Sequence, residues 1–308
     1  MTKRVSVIGA GTIGASWAAC FLARGFEVSA YDPSPNGETF ARRFIDNAWP
    51  TLEKLGTVQP GADRKRFSFF KEPAAAAKAA DFVQESGPER EDLKIDLFAT
   101  LDAALPPETV IATSSSGLLI SRVSVKCKHP ERCVIGHPFN PPHLIPLVEV
   151  VGGAKTSPQA IAKAMDFYRA AGKHPIHIKK EVQGHVANRL QAALWREVIH
   201  LVNEDVVSVA DADAAIAYGP GLRWALMGPS LIFHLAGGEG GMKHFMEHIA
   251  VGPMQNWMDD LGAPKLTPKT QQKIIDGVAE EAGSRSIADL ARWRDRKLID
   301  ILKVSGEP

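Results

Sequence analysis

Hydrophobic residues in the first part of the chain fall into short unbroken runs, separated by stretches with apolar residues at helical spacing. The runs cover residues 5–8, 27–31, 81–85, 110–113, 132–135, 147–151 and 175–178, each of strand length. Between them 15–22, 93–105 and 158–171 read as helices, and the alanine run 74–77 as a further helical turn. This alternation predicts an α/β domain on a parallel, doubly wound sheet. From Gly184 onward the strand pattern ends. Residues 186–202 repeat apolar positions at helical spacing, Ser208 is placed to cap a helix, and 287–302 carries an alternating charged face. Gly-Pro and Gly-Gly pairs near 219–221, 228–229, 237–241 and 252–253 divide this half into several helices. Two domains follow: α/β over 1–181 and all-α over 184–308, joined through Glu181-Val182-Gln183-Gly184.

The first run leads straight into Gly9-Ala10-Gly11-Thr12-Ile13-Gly14, and the second ends in Asp32, 18 residues after the last glycine. Strand, glycine turn, helix and a second strand closing on an acid make up the dinucleotide fingerprint of a Rossmann-type fold. Gly9 permits the tight turn, Gly11 lets backbone approach a pyrophosphate, and Gly14 lets helix and strand pack closely. Thr12 and Ile13 complete the cofactor-binding turn at the helix N-terminus, where unpaired N–H groups favour an anion. A carboxylate at Asp32 accepts hydrogen bonds from a ribose and opposes a 2′-phosphate. Pro33 and Ser34 supply no adjacent arginine, so the expected cofactor is NAD rather than NADP.

Composition narrows the partners. Of 308 residues, 45% are apolar and 23% charged, as in an ordinary soluble protein, and a net charge of +1 gives no hint of nucleic acid or an anionic membrane. Cys20, Cys127 and Cys133 form no disulfide framework, which points to a reduced, cytoplasmic setting. Lys3 and Arg4 before an apolar run mimic a signal peptide, but three glycines break that run. No stretch reaches the roughly 18 apolar residues of a membrane span. The expected partner is a small-molecule substrate.

The densest polar cluster is Gly136-His137-Pro138-Phe139-Asn140-Pro141-Pro142, followed by Leu147-Val148-Glu149-Val150. His137 ends an apolar run on the side of the sheet where open α/β folds bind ligands. Glu149 lies 12 residues later, on a run able to return beside it. A carboxylate on one ring nitrogen orients the other as a base; the same pairing also occurs as a purely structural contact. His244-Phe245-Met246-Glu247-His248 matches a zinc-protease pattern but follows a glycine loop with no distant third ligand, so no metal is expected. Arg42-Arg43 and Arg64-Lys65-Arg66 read as solvated faces, with phosphate contact the other reading.

Taken together, these motifs resemble the 3-hydroxyacyl-CoA dehydrogenase family over essentially the whole chain. The matching pieces are the glycine turn with Asp32, Phe82-Val83-Gln84-Glu85-Ser86 with Pro88-Glu89, Ser114-Ser115-Ser116-Gly117-Leu118, His137 with Asn140-Pro141, Leu147-Val148-Glu149, and Gly184-His185-Val186-Ala187-Asn188-Arg189-Leu190. The resemblance implies His137 as catalytic base and Glu149 as its orienting partner. It implies Ser116 and Asn188 as hydrogen-bonding groups around the substrate oxygen, and Glu85 and Asn140 as cofactor-side contacts. It also implies a homodimer formed through the helical half.

Two departures bear on substrate. The segment between Asp46 and Phe67 is short, whereas acyl-CoA members carry a longer, lysine-bearing hairpin there. Gly221-Leu222-Arg223-Trp224-Ala225-Leu226-Met227-Gly228-Pro229 places an arginine before Met-Gly-Pro. The chain thereby resembles the branch containing L-gulonate 3-dehydrogenase (the lambda-crystallins) and L-carnitine 3-dehydrogenase, more nearly the latter, whose members oxidise free acids. Arg223 is expected to hold a substrate carboxylate; a solvated residue or an interdomain salt bridge is the alternative. For a quaternary ammonium, Trp195, Trp224, Phe233 and Phe245 are the candidate cage, with plain core packing the other reading. The expected activity is NAD-dependent oxidation of a 3-hydroxy acid. A 3-hydroxyacyl-CoA substrate is the alternative, and a non-catalytic crystallin-like role is the alternative of another class.

Overall fold

The computed structural model describes residues 3–304. Its strands are β1 (Arg4–Ile8), β2 (Glu27–Tyr31), β3 (Phe67–Phe70), β4 (Phe82–Glu85), β5 (Val110–Thr113), β6 (Cys133–Pro138), β7 (Leu147–Gly152) and β8 (His174–Ile178). They form one eight-stranded sheet in the order β3-β2-β1-β4-β5-β6-β7-β8. The order reverses next to β1, the switch point where doubly wound sheets bind ligands. The Rossmann-type expectation holds, with two differences. Strand β3 lies outside the pattern of runs in the sequence, because its four residues follow a charged turn, Arg64–Arg66. And β7 runs antiparallel to β6. A parallel return needs a crossover of a dozen or more residues, and residues 139–146 are too few.

Helices cover both faces of the sheet. On one side α1 (Thr12–Ala23) packs with α2 (Gly37–Lys54), and α1 is apolar almost all round. Its Trp17 and Phe21 are fully buried, stacked 5.1 Å apart, among Phe26, Phe82, Phe167 and Tyr168. On the other side α3 (Pro73–Ala77), α4 (Glu91–Ala104) and α5 (Ile120–Val123) supply Ala77, Phe98, Leu101 and Ile120 against Ile111 and Ile135. Helix α6 (Pro158–Ala170), capped by the Ser157 hydroxyl on the Ala160 amide, brings Phe167 and Tyr168 into the aromatic cluster. Burial of each such aromatic contributes on the order of 2–3 kcal/mol, so this layer defines the core.

The chain divides into two compact units, Met1–Arg189 and Leu190–Pro308, with α7 (Ala187–Asn203) beginning in the first. The second unit contains α8 (Val209–Ala217), α9 (Pro220–Trp224), α10 (Pro229–Ala236), α11 (Gly241–Phe245), a π-helical stretch Met246–Met254, α12 (Gln255–Asp260), α13 (Pro268–Ala282) and α14 (Ile287–Val304). Ser208 caps α8 by accepting the Asp211 amide. Among the described residues of this unit there is no strand. Its buried apolar residues are few, chiefly Ile199, Val202, Val209, Ile232 and Phe245, while Trp195, Tyr218, Trp257 and Trp293 are more than half exposed.

Candidate active site

The glycine turn has the geometry its sequence implies. Gly9 has φ 95°, in the left-handed region that glycine adopts without strain. A Cβ on Gly14 would lie 1.8 Å from the Gly9 carbonyl oxygen, so nothing but hydrogen fits there. A Cβ on Gly11 would meet no atom within 4 Å, which leaves its backbone open to a dinucleotide. Gly11 N-caps α1 without a side-chain bond, leaving first-turn amides for an anion. Asp32 closes β2, and its Oδ2 accepts the Ala10 amide at 2.8 Å while Oδ1 accepts the Ser34 amide at 2.9 Å. The acid therefore pins the turn. These residues fit NAD, which would bring its pyrophosphate to α1 and supply the hydride acceptor.

At the ends of β4 and β5 a second set of residues assembles. Glu85 is fully buried and its carboxylate is occupied: Lys94 Nζ donates to both oxygens at 2.7 Å, the Gly87 amide to Oε1 and the Thr113 hydroxyl to Oε2, each at 2.5 Å. Its side chain shapes the Ser86-Gly87 turn, against which Gly9 packs with no room for a Cβ. The sequence signal for Lys94 is a lysine on the apolar face of α4, in line with Phe98 and Leu101. Glu89 gathers the serine loop. Its Oε1 accepts the Ser115 hydroxyl at 2.6 Å and the amides of Ser116 and Gly117 at 3.1 and 2.9 Å. Ser116 is left with its side chain exposed at the head of the loop. Ser114 instead belongs to a buried relay, accepting from Trp17 and Gln84, with the Tyr168 hydroxyl donating to Gln84 at 2.6 Å.

His137 and Glu149 stand opposite each other in the antiparallel β6–β7 register. His137 Nδ1 lies 2.7 Å from Glu149 Oε2, with the histidine 6% exposed and the glutamate fully buried. Glu149 Oε1 accepts the amides of Val186 and Ala187 at 2.9 and 2.8 Å, at the start of α7. Burial alone would raise this carboxyl, but the His137 bond and the two amides hold it below the usual carboxylate range. The charged form at the positive end of a helix is the stable one. Phe139 packs edge-on to His137 at 5.2 Å, and Asn140 is exposed just beyond it. Asn188, the second residue of α7, is half-buried, one residue past the amide bonded to Glu149. The first unit thus brings together the glycine turn, the serine loop, the dyad and the head of α7.

Arg223 lies on α9 of the second unit and is exposed. Phe233 and Phe245 stack on each other at 4.8 Å, with Phe245 buried, which is core packing. Among the described residues no group of three or more His, Cys, Asp or Glu side chains is placed to hold a metal ion. Arg42 and Arg64 are paired with Glu38 and Asp46.

A dinucleotide turn pinned by an acid, on the same sheet as a buried histidine–carboxylate pair, is the pattern of an NAD-dependent oxidoreductase. The chain belongs to the 3-hydroxyacyl-CoA dehydrogenase family: the family's NAD binding domain matches residues 4–182 and its C-terminal domain residues 184–277. The L-carnitine dehydrogenase of Streptomyces coelicolor is 49% identical over 304 residues, covering 99% of this chain and 95% of its own. That of Pseudomonas putida is 48% identical over 301 residues, covering 98% and 93%. Among solved structures, the 5-formyl-3-hydroxy-2-methylpyridine 4-carboxylic acid 5-dehydrogenase, described as an NAD+-dependent dismutase, has a TM-score of 0.84 at 30% identity, over 99% of this chain and 100% of its own.

Proposed function

We propose that this chain oxidises the 3-hydroxyl of a small free 3-hydroxy acid of the L-carnitine type to the 3-keto acid, with His137 as general base. The observation that carries the reading is the dyad: Glu149 accepts the Nδ1 hydrogen of His137, which leaves the Nε2 lone pair to take the hydroxyl proton. As that proton moves to Nε2, C3 releases hydride to NAD and its C–O bond becomes a carbonyl. The Glu149 carboxylate then balances the imidazolium. Ser116 and Asn188 hydrogen-bond the substrate oxygen, and Asn140 lies on the cofactor side. Glu85 acts on the cofactor indirectly, through the Ser86-Gly87 turn.

A free acid rather than a CoA ester is supported by the short path from α2 to β3, which contains only the turn Arg64–Arg66. The curated relatives support a substrate with a cationic end. In this reading Arg223 holds the substrate carboxylate with paired, charge-assisted hydrogen bonds. The domain halves, 1–181 and 184–308, act as cofactor-binding and substrate-binding domains in a reducing cytoplasmic setting. The exposed apolar surface of the second unit, including a groove of about 1020 Å³ lined by Trp195, Ile216, Tyr218 and Trp293, supports a homodimer.

The test is NADH formation with L-carnitine, L-gulonate, 3-hydroxybutyrate and 3-hydroxybutyryl-CoA, on unmodified protein and Arg223→Met. Turnover is expected with L-carnitine, with KM raised on the order of 10²-fold in the variant. Turnover of the CoA ester alone, indifferent to Arg223, overturns the free-acid reading.

A further inference from the structure

His185 has no part in the reaction as proposed, yet its imidazole is 1% exposed and its ring centroid lies 5.2 Å from that of His137. Its Nε2 is 3.1 Å from the Ser115 carbonyl oxygen. A carbonyl only accepts, so Nε2 carries the hydrogen and Nδ1 is a lone pair. That Nδ1 is buried and has no hydrogen-bond partner. Protonating it would place both a charge and a second donor where nothing receives them. Burial lowers the pKa of His185 and outweighs the Ser115 bond, which acts the other way; His137 adds to the lowering. The charged or titratable groups around it are His137 from β6, Glu149 from β7 and Glu89 from the loop after β4.

The backbone points the same way. Gly184 and His185 have φ of 77° and 51°, two left-handed residues in succession. Glycine adopts this conformation freely, but histidine does so at a cost that the surroundings must hold in place. The result is a turn that reaches two parts of the site at once. The amides of Val186 and Ala187 meet Glu149, while the side chain one residue earlier meets the serine loop.

We propose that His185 is a positioning residue: its neutral, Nε2-protonated imidazole ties the serine loop to the turn that holds Glu149, and keeps a second positive charge away while His137 takes the substrate proton. The second half of this rests on reading His137 as the base. A cation beside His137 would oppose that transfer, so protonation of His185 acts on the proton acceptor as well as on the loop.

Two measurements test it. In 15N-histidine NMR of the unmodified enzyme, the His185 ring should be the neutral Nε2–H tautomer at pH 7, and remain so below the value of about 6.5 at which free histidine charges. An Nδ1–H tautomer or a cationic ring at neutral pH overturns the proposal. In kinetics from about pH 8 down to the lowest pH at which the enzyme stays folded, log kcat/KM should fall more steeply in the unmodified enzyme than in His185→Gln, whose amide still donates to Ser115 but does not titrate. His185→Phe, with no donor, should lose on the order of tenfold in kcat at unchanged KM for NAD, and Gln should restore most of it. A Phe variant with full kcat, and an acid limb of the same steepness in the unmodified enzyme and His185→Gln, overturns the proposal. Turnover indifferent to His137→Ala rejects the base assignment and the electrostatic half with it; the tie to Ser115 is then decided by the tautomer.

Discussion

His137 and Glu149, 12 residues apart in sequence, are direct partners across the β6–β7 ladder, with Nδ1 and Oε2 2.7 Å apart. The contact exists because β7 reverses. In a wholly parallel sheet the glutamate would leave on the far side of a crossover helix; a short loop returns it beside the histidine. Its second oxygen is held by Val186 and Ala187, so one carboxylate joins the dyad to the head of α7.

Glu149→Gln tests this junction. An amide offers one acceptor oxygen, and three N–H donors now share two carboxylate oxygens. Either the imidazole or the α7 amides will face an NH₂ group. The expected result is a kcat lower by about 10² to 10⁴-fold at saturating NAD, with a lower melting temperature. A variant with full kcat would show that the carboxylate orients nothing.

Stability should fall with acid in two steps of the same sign. His185 has a folded pKa below its unfolded value of about 6.5, so the unfolded chain binds protons first and stability declines as pH drops from there. Glu149 also has a lowered folded pKa; its contribution is fully present above its unfolded value of about 4.3 and is lost as pH falls through the folded one. Melting temperatures from about pH 8 to about pH 4 should be level at first and then decline. A rise on acidification would contradict both directions.

Much of this architecture is legible in the chain. The strands around the fingerprint and the helices 93–105 and 158–171 follow from local periodicity, and the structure moves their ends by only a residue or two. Long-range satisfaction of buried groups is not legible. Nothing local shows that Lys94 turns inward to Glu85, that Glu89 gathers three donors of the serine loop, or that Tyr168 reaches Gln84. Gly136 records the last contact indirectly: a Cβ there would lie 1.7 Å from the Tyr168 hydroxyl, a constraint invisible until α6 is packed. His185 is one more residue of a motif in the sequence, because its placement depends on a left-handed backbone and a partner 70 residues away.

Lys94→Met should be costly out of proportion to its size. Removing the ammonium leaves the Glu85 carboxylate buried with only the Gly87 amide and Thr113 hydroxyl. Breaking a buried pair on one side costs about 3–5 kcal/mol, and the Ser86-Gly87 turn beside Gly9 should loosen with it. Denaturant unfolding and NAD titration check both parts. Unchanged stability would mean that the pair is not formed.

Asp32→Ala should narrow the preference for NAD over NADP by about tenfold, chiefly by weakening NAD. The Ala10 amide loses its acceptor in the same change, so NADP should gain little. The ratio of kcat/KM for the two cofactors measures this. Faster turnover with NADP in the unmodified enzyme would contradict the assignment of Asp32.

The central claim is that His137 takes the hydroxyl proton, and kcat of His137→Ala with L-carnitine at saturating NAD tests it most directly. The account predicts a fall of at least about 10²-fold, the usual worth of a general base, with the dissociation constant for NAD unchanged because the glycine turn and Asp32 are untouched. A kcat equal to that of the unmodified enzyme would contradict it.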